Sequence, residues 1–303
     1  MRNLTILSSG IILFFSLASH AQTPPAAPTE PAAAPEVAVP SADGAAPAPK
    51  APTVIDPATS DPRVVMAAVE SKVRANQTKG RMAIRIIDRS GRTRERTVRS
   101  WAMDADGAQR QLMIFDSPAD VRGTSLLSID HDNASQDDDQ WLFLPSLKKT
   151  TRISSGDRSG SFMGTDLTYA DMTRADTTQY EYKMLKQTAS VGGEECWLIE
   201  SRPKTQKAKD ETGYVKVHGW VSKKKLMILQ VKAWVREGRK LKYIKFDEVK
   251  MLGGQWTPFK ISARTVRGRT VESTTIIQFA DMTADNPSVT QALFDQNTQW
   301  WTR

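Results

Sequence analysis

Every second residue is apolar along two stretches of the chain, and most of the residues between them are polar. The apolar members are Met82, Ile84 and Ile86 in the first stretch, and Met227, Leu229, Val231 and Val235 in the second. Successive side chains of a β-strand point to opposite faces of its sheet, so each set predicts one apolar face of a half-buried antiparallel strand. We predict that these seven residues line the concave face of a sheet.

Six turn signals separate the short β-rich runs that follow residue 80. They are Ser90-Gly91, Asp106-Gly107, Gly192-Gly193, Glu237-Gly238, Gly253-Gly254 and Arg267-Gly268. A glycine in such a pair is typical of a tight turn between antiparallel strands. The runs predict about ten strands, and a sheet of that width curls and leaves a concave face to be covered.

One amphipathic helix is predicted before the first strand, over residues 62–78. Asp61 suits the N-cap position, and Pro62 suits the first helical position. Apolar residues recur at three- and four-residue spacings from Val65 to Val73, which gives the helix a single apolar stripe. The stripe needs a partner surface, and we predict that it lies on the concave face. The predicted fold is therefore mainly β with few helices.

The N-terminal part of the chain has the composition of an export signal followed by a linker. Arg2 precedes a short apolar run that closes on small residues at Ala21, which is the pattern of a secretory signal peptide over residues 1–21. Residues 22–60 are dominated by Ala and Pro, and we predict a disordered tether because they offer too few side chains for a core. The sequence therefore predicts export to the periplasm, cleavage after Ala21, and a folded domain over residues 61–303.

Few residues are suited to catalysis or to metal binding. The single cysteine, Cys196, lies in an apolar run and is predicted to be a buried hydrophobic residue. Beyond the signal peptide only His131 and His218 remain, too few for a histidine-rich metal site. The acidic stretch from Asp130 to Asp139 lacks the glycine of a calcium loop and is predicted to be solvated. We predict no enzymatic activity, no metal and no cofactor, since no nucleophile–base pair or nucleotide motif is recognisable.

Residues 146–175 break the alternation and are rich in Gly and Ser. A loop that also carries large apolar side chains is more typical of a lid or docking loop than of a linker. The residues predicted to form this gate are Arg152, Arg158, Phe162, Met163 and Tyr169. Its two arginines pair either with an anionic headgroup or with the nearby Asp157 and Asp166. An ordinary connection that packs a few apolar side chains is the alternative.

The formal net charge is +8, and the cations cluster on predicted strands and turns. The clusters are Arg92, Arg94, Arg96 and Arg99 on one hairpin, then Lys223 to Lys225, then Arg236, Arg239, Lys240, Lys242 and Lys245. Such a face is most often solvated and protects sheet edges from pairing. The alternative is transient contact with an anionic membrane surface or with an acidic partner. Nucleic acid is not an expected partner in the periplasm.

Five motifs occur in order across the central third of the chain. They are Pro118 to Leu127, Trp141 to Pro145, Arg152-Ile153, Arg158 to Tyr169 and Asp171-Met172. In combination they resemble the LolA-like outer-membrane lipoprotein-sorting family, in particular its branch found beside RND-type transporters. The resemblance implies a half-open antiparallel β-barrel whose concave face is filled by helices, and a cavity that shields acyl chains from water. It also implies lipid or lipoprotein acyl chains as cargo and an RND-type inner-membrane transporter as a partner.

Three functions are compatible with these features. The first is a periplasmic carrier that shelters an apolar cargo for outer-membrane sorting, with the seven residues of the concave face lining the cargo site. The second is a non-carrier adaptor or structural protein of an envelope complex, in which the sheet is filled by its own side chains. The third, a hydrolase, is disfavoured by the missing nucleophile–base pair. An apolar cavity of several hundred Å³ would favour the carrier, and a packed core the adaptor.

Overall fold

The computed structural model describes residues 55–72, 75–133 and 136–302. These residues fall in one compact unit, which spans residues 49–303. The predicted signal peptide and most of the predicted tether lie outside the described residues. Within the described ranges, no helix is long and apolar enough to cross a membrane.

A single antiparallel sheet of thirteen strands forms the body of the protein, in the order β6-β5-β4-β3-β2-β1-β13-β12-β11-β10-β9-β8-β7. The strands are β1 (Thr78–Asp88), β2 (Thr93–Ala105), β3 (Ala108–Ser117), β4 (Ser125–His131), β5 (Asp139–Leu144), β6 (Lys149–Arg152), β7 (Tyr180–Val191), β8 (Glu194–Pro203), β9 (Tyr214–Ser222), β10 (Ile228–Val235), β11 (Lys240–Leu252), β12 (Gln255–Arg267) and β13 (Thr270–Thr283). The mainly β class is confirmed, and the count exceeds the predicted ten. Short strands such as β5 and β6 carry no clear alternation, so their sequences gave no strand signal.

All six predicted turns connect neighbouring strands of the sheet. The turn between β2 and β3 shows why these residue pairs were informative. Asp106 and Gly107 both have positive φ, 52° and 67°. A two-residue hairpin turn that follows the twist of its strands needs this conformation, which glycine and aspartate adopt more readily than most residues.

Two α-helices accompany the sheet, α1 (Pro62–Glu70) and α2 (Gln206–Thr212). The start of α1 is as predicted: the Asp61 side chain accepts a hydrogen bond of 2.9 Å from the backbone N–H of Arg63, and Pro62 is the first helical residue. The helix ends earlier than residue 78, because β1 already begins at Thr78 and the chain must become extended before it.

The sheet curls strongly, as two nearby polar contacts show. Tyr214 at the start of β9 donates to Asp171, and Arg174, three residues further along, donates to Asp130 of β4. Strands β9 and β4 are eight positions apart in the sheet order. In a flat sheet they would be roughly 40 Å apart, since neighbouring strands are spaced about 4.8 Å. The sheet therefore wraps around this segment. It is an open half-barrel because its two edge strands, β6 and β7, do not pair with each other.

Three apolar clusters hold the fold together. The largest lies on the concave face and joins strands β1 to β4 and β11 to β13 to residues 153–174, which we call the cover loop. A second lies on the opposite face, where the C-terminal segment packs Val289, Phe294 and Trp300 onto β2, β3 and β4. The third is formed by α1 on β8 and β9, through Val65, Trp197 and other residues.

Candidate functional site

The cover loop places large apolar side chains directly on the concave face of the sheet. Phe162 is only 1% exposed, and Leu167 is also buried. The ring centroid of Phe162 lies 6.1 Å from that of Phe115 on β3 and 5.7 Å from that of Tyr169, the latter edge to face. The loop is therefore part of the main core, and Phe162 is its deepest apolar contact.

Two strand side chains hold the backbone of the cover loop. The guanidinium of Arg96 on β2 donates to the backbone carbonyl of Met163, and it lies over the ring of Phe115 at 5.8 Å. Gln140 on β5 donates to the carbonyl of Tyr169 at 3.0 Å. Burial lowers the pKa of Arg96. The expectation that Arg96 belongs to a solvated basic face is wrong, because alternation along β2 turns this side chain inward.

Asp166 fastens the centre of the cover loop to β12 and β13. Its carboxylate is buried and accepts hydrogen bonds from the hydroxyls of Thr265, Ser273 and Thr275, the last at 2.7 Å. Its backbone N–H donates to Thr275 Oγ1 at 2.9 Å. Three hydroxyl donors satisfy this carboxylate where no water surrounds it, which buried acids require.

The cover loop and the adjoining Arg152 are bound to the acidic stretch from Asp130 to Asp139, at the end of β4 and the start of β5. Ion pairs join Arg152 to Asp139, Arg158 to Asp138, and Arg174 to both Asp130 and Asp132. The acidic stretch is therefore ion-paired rather than solvated as predicted, because the loop returns its arginines to it. Burial, with a smaller contribution from the Asp130 carboxylate, raises the pKa of Asp138 to about 6 despite the nearby guanidinium of Arg158.

A buried polar cluster closes the loop against β9 and β11. Tyr214 Oη donates to the Asp171 carboxylate at 2.8 Å, and Lys242 Nζ lies 3.0 Å from Tyr214 Oη and 3.6 Å from Asp171 Oδ2. Burial lowers the pKa of Lys242 against the opposing effect of Asp171, and it raises the pKa of Tyr214. Lys242 is thus another cation that lies inside the curled sheet rather than on a solvated face.

A cavity of about 320 Å³ remains between the cover loop and the sheet. Most of its lining is apolar and comes from β1, β3, β12, β13 and the loop. The apolar lining residues are Met82, Ile84, Ala102, Met113, Phe162, Leu167, Met172, Ile261, Ile277 and Phe279. The polar ones are Gln109, Gln111, Ser128, Asp130, Asp171 and Thr173. This volume lies at the lower end of the range of small-molecule sites, about 300–1,000 Å³.

The predicted lining residues divide between the two stretches. Met82 and Ile84 line the cavity, and Ile86 lies beside them in the concave core. The residues of the second stretch do not line the cavity, although Val231 packs against the same core.

The second stretch does not keep a single alternation. Its register shifts between Ile228 and Gln230, so that Ile228 opposes Val221 while Val231 opposes Gly219. Because Val221 and Gly219 share a face, Ile228 and Val231 do as well, and the predicted series is interrupted. Met227 precedes the strand, Leu229 is buried at the irregularity, and Val235 is half-buried after a second shift.

Three of the five predicted gate residues lie together, and the two arginines lie apart from them in ion pairs. Phe162, Met163 and Tyr169 pack together on the concave core, and Phe162 also lines the cavity. Arg158 is buried against Asp138, and Arg152 ends β6 beside Asp139. Neither arginine pairs with Asp157 or Asp166.

No group of three or more metal-binding side chains occurs in the ranges that the structure describes. Cys196 is buried, and burial raises the pKa of its thiol to about 11, so it is predominantly protonated at neutral pH. His218 accepts or donates a 2.9 Å hydrogen bond with Glu200 on the outer face of β8 and β9. These residues are accounted for by packing and pairing within the sheet.

Comparison with known proteins places this architecture in a family. A family model described as that of an uncharacterized protein matches residues 107–298, which is more than half of the chain. A solved structure from Vibrio parahaemolyticus, named a candidate outer membrane lipoprotein-sorting protein domain, is 25% identical with a TM-score of 0.69. It covers 78% of this chain and 96% of its own. The chain belongs to the family of that model, and its fold is that of the lipoprotein-sorting (LolA-like) structures.

Two further structures extend the comparison. A DUF1329 family protein from Desulfovibrio piger is 27% identical, with a TM-score of 0.66, and covers 78% of this chain and 95% of its own. A LolA superfamily protein from Nitrosomonas europaea shares the fold at 18% identity and a TM-score of 0.56, covering 77% of this chain and 96% of its own. No curated protein sequence matches the chain.

Sequence reasoning missed several side chains that build this LolA-like site. Arg96 and Lys242 were grouped with surface cations, and Asp166 was considered only as a partner for an arginine. Alternation offered one usable signal, because Arg96 keeps the spacing of Val98 along β2 and therefore shares its inward face. The partners of Asp166 lie about a hundred residues away along the chain, and no local pattern indicates them.

Proposed function

We propose that this LolA-like protein is a periplasmic carrier that shelters an apolar lipid or lipoprotein acyl chain beneath its cover loop for outer-membrane sorting. The observation that carries the proposal is the cavity of about 320 Å³, whose wall is mainly apolar. Transfer of each CH₂ group from water into such a site contributes about 0.8 kcal/mol, so even a partly enclosed chain would bind. No catalytic group is needed for this task, and we propose that the protein is not an enzyme.

The proposed location and partners rest on the sequence and on the family, rather than on the cavity. Periplasmic location rests on the predicted signal peptide and cleavage after Ala21, together with the family of outer-membrane lipoprotein-sorting proteins. An RND-type inner-membrane transporter as partner rests on the resemblance to the family branch found beside such transporters. Transient contact with a membrane surface would allow the cargo to enter and leave the cavity.

Native mass spectrometry of protein purified from its own envelope tests for a bound cargo. The variant that best tests the cavity as the binding site is Ala102→Trp, because Ala102 lines the cavity on β2 and an indole there would occupy the space. The matched control is Ala83→Trp, since Ala83 is exposed on the outward side of β1. We expect adducts of lipid mass on the wild type and on the control, and none on Ala102→Trp. Lipid retained equally by all three proteins would contradict the cavity as the binding site.

The adaptor function is favoured by one specific observation, the burial of Phe162 and Leu167 on the concave face. In that case the cover loop is a permanent filling of the half-barrel. Wild-type protein without any lipid adduct, together with an Ala102→Trp variant that still binds its envelope partner, would support the adaptor instead.

A further inference from the structure

The cavity beneath the cover loop is polarised from one end to the other. Its apolar wall comes from β1, β12 and β13, where the lining residues are Met82, Ile84, Ile261, Ile277 and Phe279. On β3 and β4 the lining is polar apart from Met113. Gln109 is paired directly with Asp130, and Gln111 with Ser128, so these four side chains form one patch. The cover loop adds Asp171 and Thr173 to the lining.

The charges around the cavity are arranged so that carboxylates face it and cations do not. Among the described residues that line it there is no lysine, arginine or histidine. Arg174 Nε lies 3.0 Å from Asp130, and Lys242 Nζ lies 3.6 Å from Asp171, so each lining carboxylate already has a counter-charge outside the lining. A ligand carboxylate or phosphate in the cavity would lose its hydration and meet no free cation, which is costly.

The polar lining offers hydrogen-bond acceptors to a ligand. Asp130 in the patch and Asp171 on the cover loop are carboxylates, which only accept, and the amides of Gln109 and Gln111 both accept and donate. Ser128 Oγ lies 3.3 Å from Nε2 of Gln140, a buried residue outside the lining, whose Oε1 has no hydrogen-bond partner among the described residues. A ligand group that brings a hydroxyl or an amide N–H would find acceptors at this end of the cavity.

We infer that the cargo is an apolar chain ending in an uncharged group that donates hydrogen bonds, such as the hydroxyls of an acylglycerol or the N–H of an acyl amide. The apolar wall receives the chain, and the patch on β3 and β4 receives the polar end. Free fatty acids, which carry a carboxylate at neutral pH, are disfavoured. This inference rests on the proposed carrier function and specifies the chemical class of its ligand.

The test compares two amphiphiles with the same chain, dodecanoate and 1-monododecanoylglycerol, by calorimetric titration of delipidated protein at neutral pH. Both are used below the concentration at which they aggregate. The variant Gln111→Lys places a cation in the polar patch, and Gln230→Lys is the matched control on the outer face of β10. We expect the wild type and Gln230→Lys to prefer the acylglycerol roughly tenfold or more, and Gln111→Lys to lose or reverse that preference.

Each outcome has a distinct meaning. Dodecanoate bound as tightly as the acylglycerol by the wild type would overturn the inference while leaving the carrier function intact. A preference unchanged in Gln111→Lys would show that the patch on β3 and β4 does not set it, which also overturns the inference. Binding of neither amphiphile by the wild type would overturn the carrier function and this inference with it.

Discussion

The concave side of the sheet is covered in two ways, by helix α1 at one end and by the cover loop at its centre. The helix buries Val65 against Trp197, Ile199 and Val221, and its apolar stripe supplies most of the contact. The cover loop also buries apolar side chains, but buried polar groups from distant strands fix it at Met163, Asp166 and elsewhere. The helix and the cover loop differ in which groups form hydrogen bonds with their buried backbone.

An α-helix bonds most of its own backbone groups, so it needs only an apolar face to lie on another surface. The cover loop pairs part of its backbone within itself, for example between the Phe162 N–H and the Leu167 carbonyl, and the remaining buried groups need partners from elsewhere. Here Arg96 and Gln140 supply donors to two loop carbonyls, and Thr275 accepts from the Asp166 N–H. A cover held by such discrete bonds can be released by breaking a few of them, which would suit the admission of cargo that we propose.

The largest expected effect comes from removing the central anchor of the loop. Asp166→Ala leaves three hydroxyls, that of Thr275 fully buried and the other two half-buried, without their acceptor, and we expect the free energy of unfolding to fall by about 3 kcal/mol. Urea denaturation measures this loss, and hydrogen exchange should accelerate in residues 153–174 before the rest of the sheet. Asp157→Ala is the control, because Asp157 is exposed in the same loop, and its effect should stay within about 0.5 kcal/mol. Equal effects of the two changes would refute the anchor.

Helix α1 should respond to the loss of apolar contact alone. Val65→Ala removes two buried methyl groups, and we expect a loss of about 2 kcal/mol in the free energy of unfolding. Val64→Ala is an adjacent control, since Val64 is 46% exposed and its truncation should be nearly neutral. Exchange in the cover loop should not change in either variant. Faster loop exchange in Val65→Ala would show that the two covers are coupled rather than held independently.

The smallest expected effect concerns pH and Asp138. Its pKa is raised to about 6 in the folded protein, so the folded state binds a proton more tightly than the unfolded state does between about pH 4 and pH 6. Relative to Asp138→Asn, the wild type should therefore gain stability as the pH falls from 7 toward 4, by about 1 kcal/mol because the side chain keeps some solvent contact. Urea denaturation of both proteins across this range measures the difference. A wild type that loses stability relative to Asp138→Asn on acidification would contradict the raised pKa.

Much of the architecture follows from local patterns in the chain. Alternation at Met82, Ile84 and Ile86 predicted the inward face of β1, and the six glycine-containing turns predicted the hairpins between neighbouring strands. The cap at Asp61 predicted where α1 begins. These features are determined by contacts within a few residues, which is why they could be predicted without a structure.

The cavity and the anchors of its cover were decided only by the tertiary structure. The irregular pairing at Ile228 interrupts an alternation that looked continuous in the sequence, because a bulge is set by the partner strand. Asp166 meets hydroxyls of β12 and β13, and Arg96 meets the carbonyl of Met163, across long stretches of chain. A lysine or arginine looks the same in the sequence whether its side chain is exposed or buried, so residue type alone does not distinguish the two. Curling of the sheet, which brings distant strands around one loop, determines which of them lie inside.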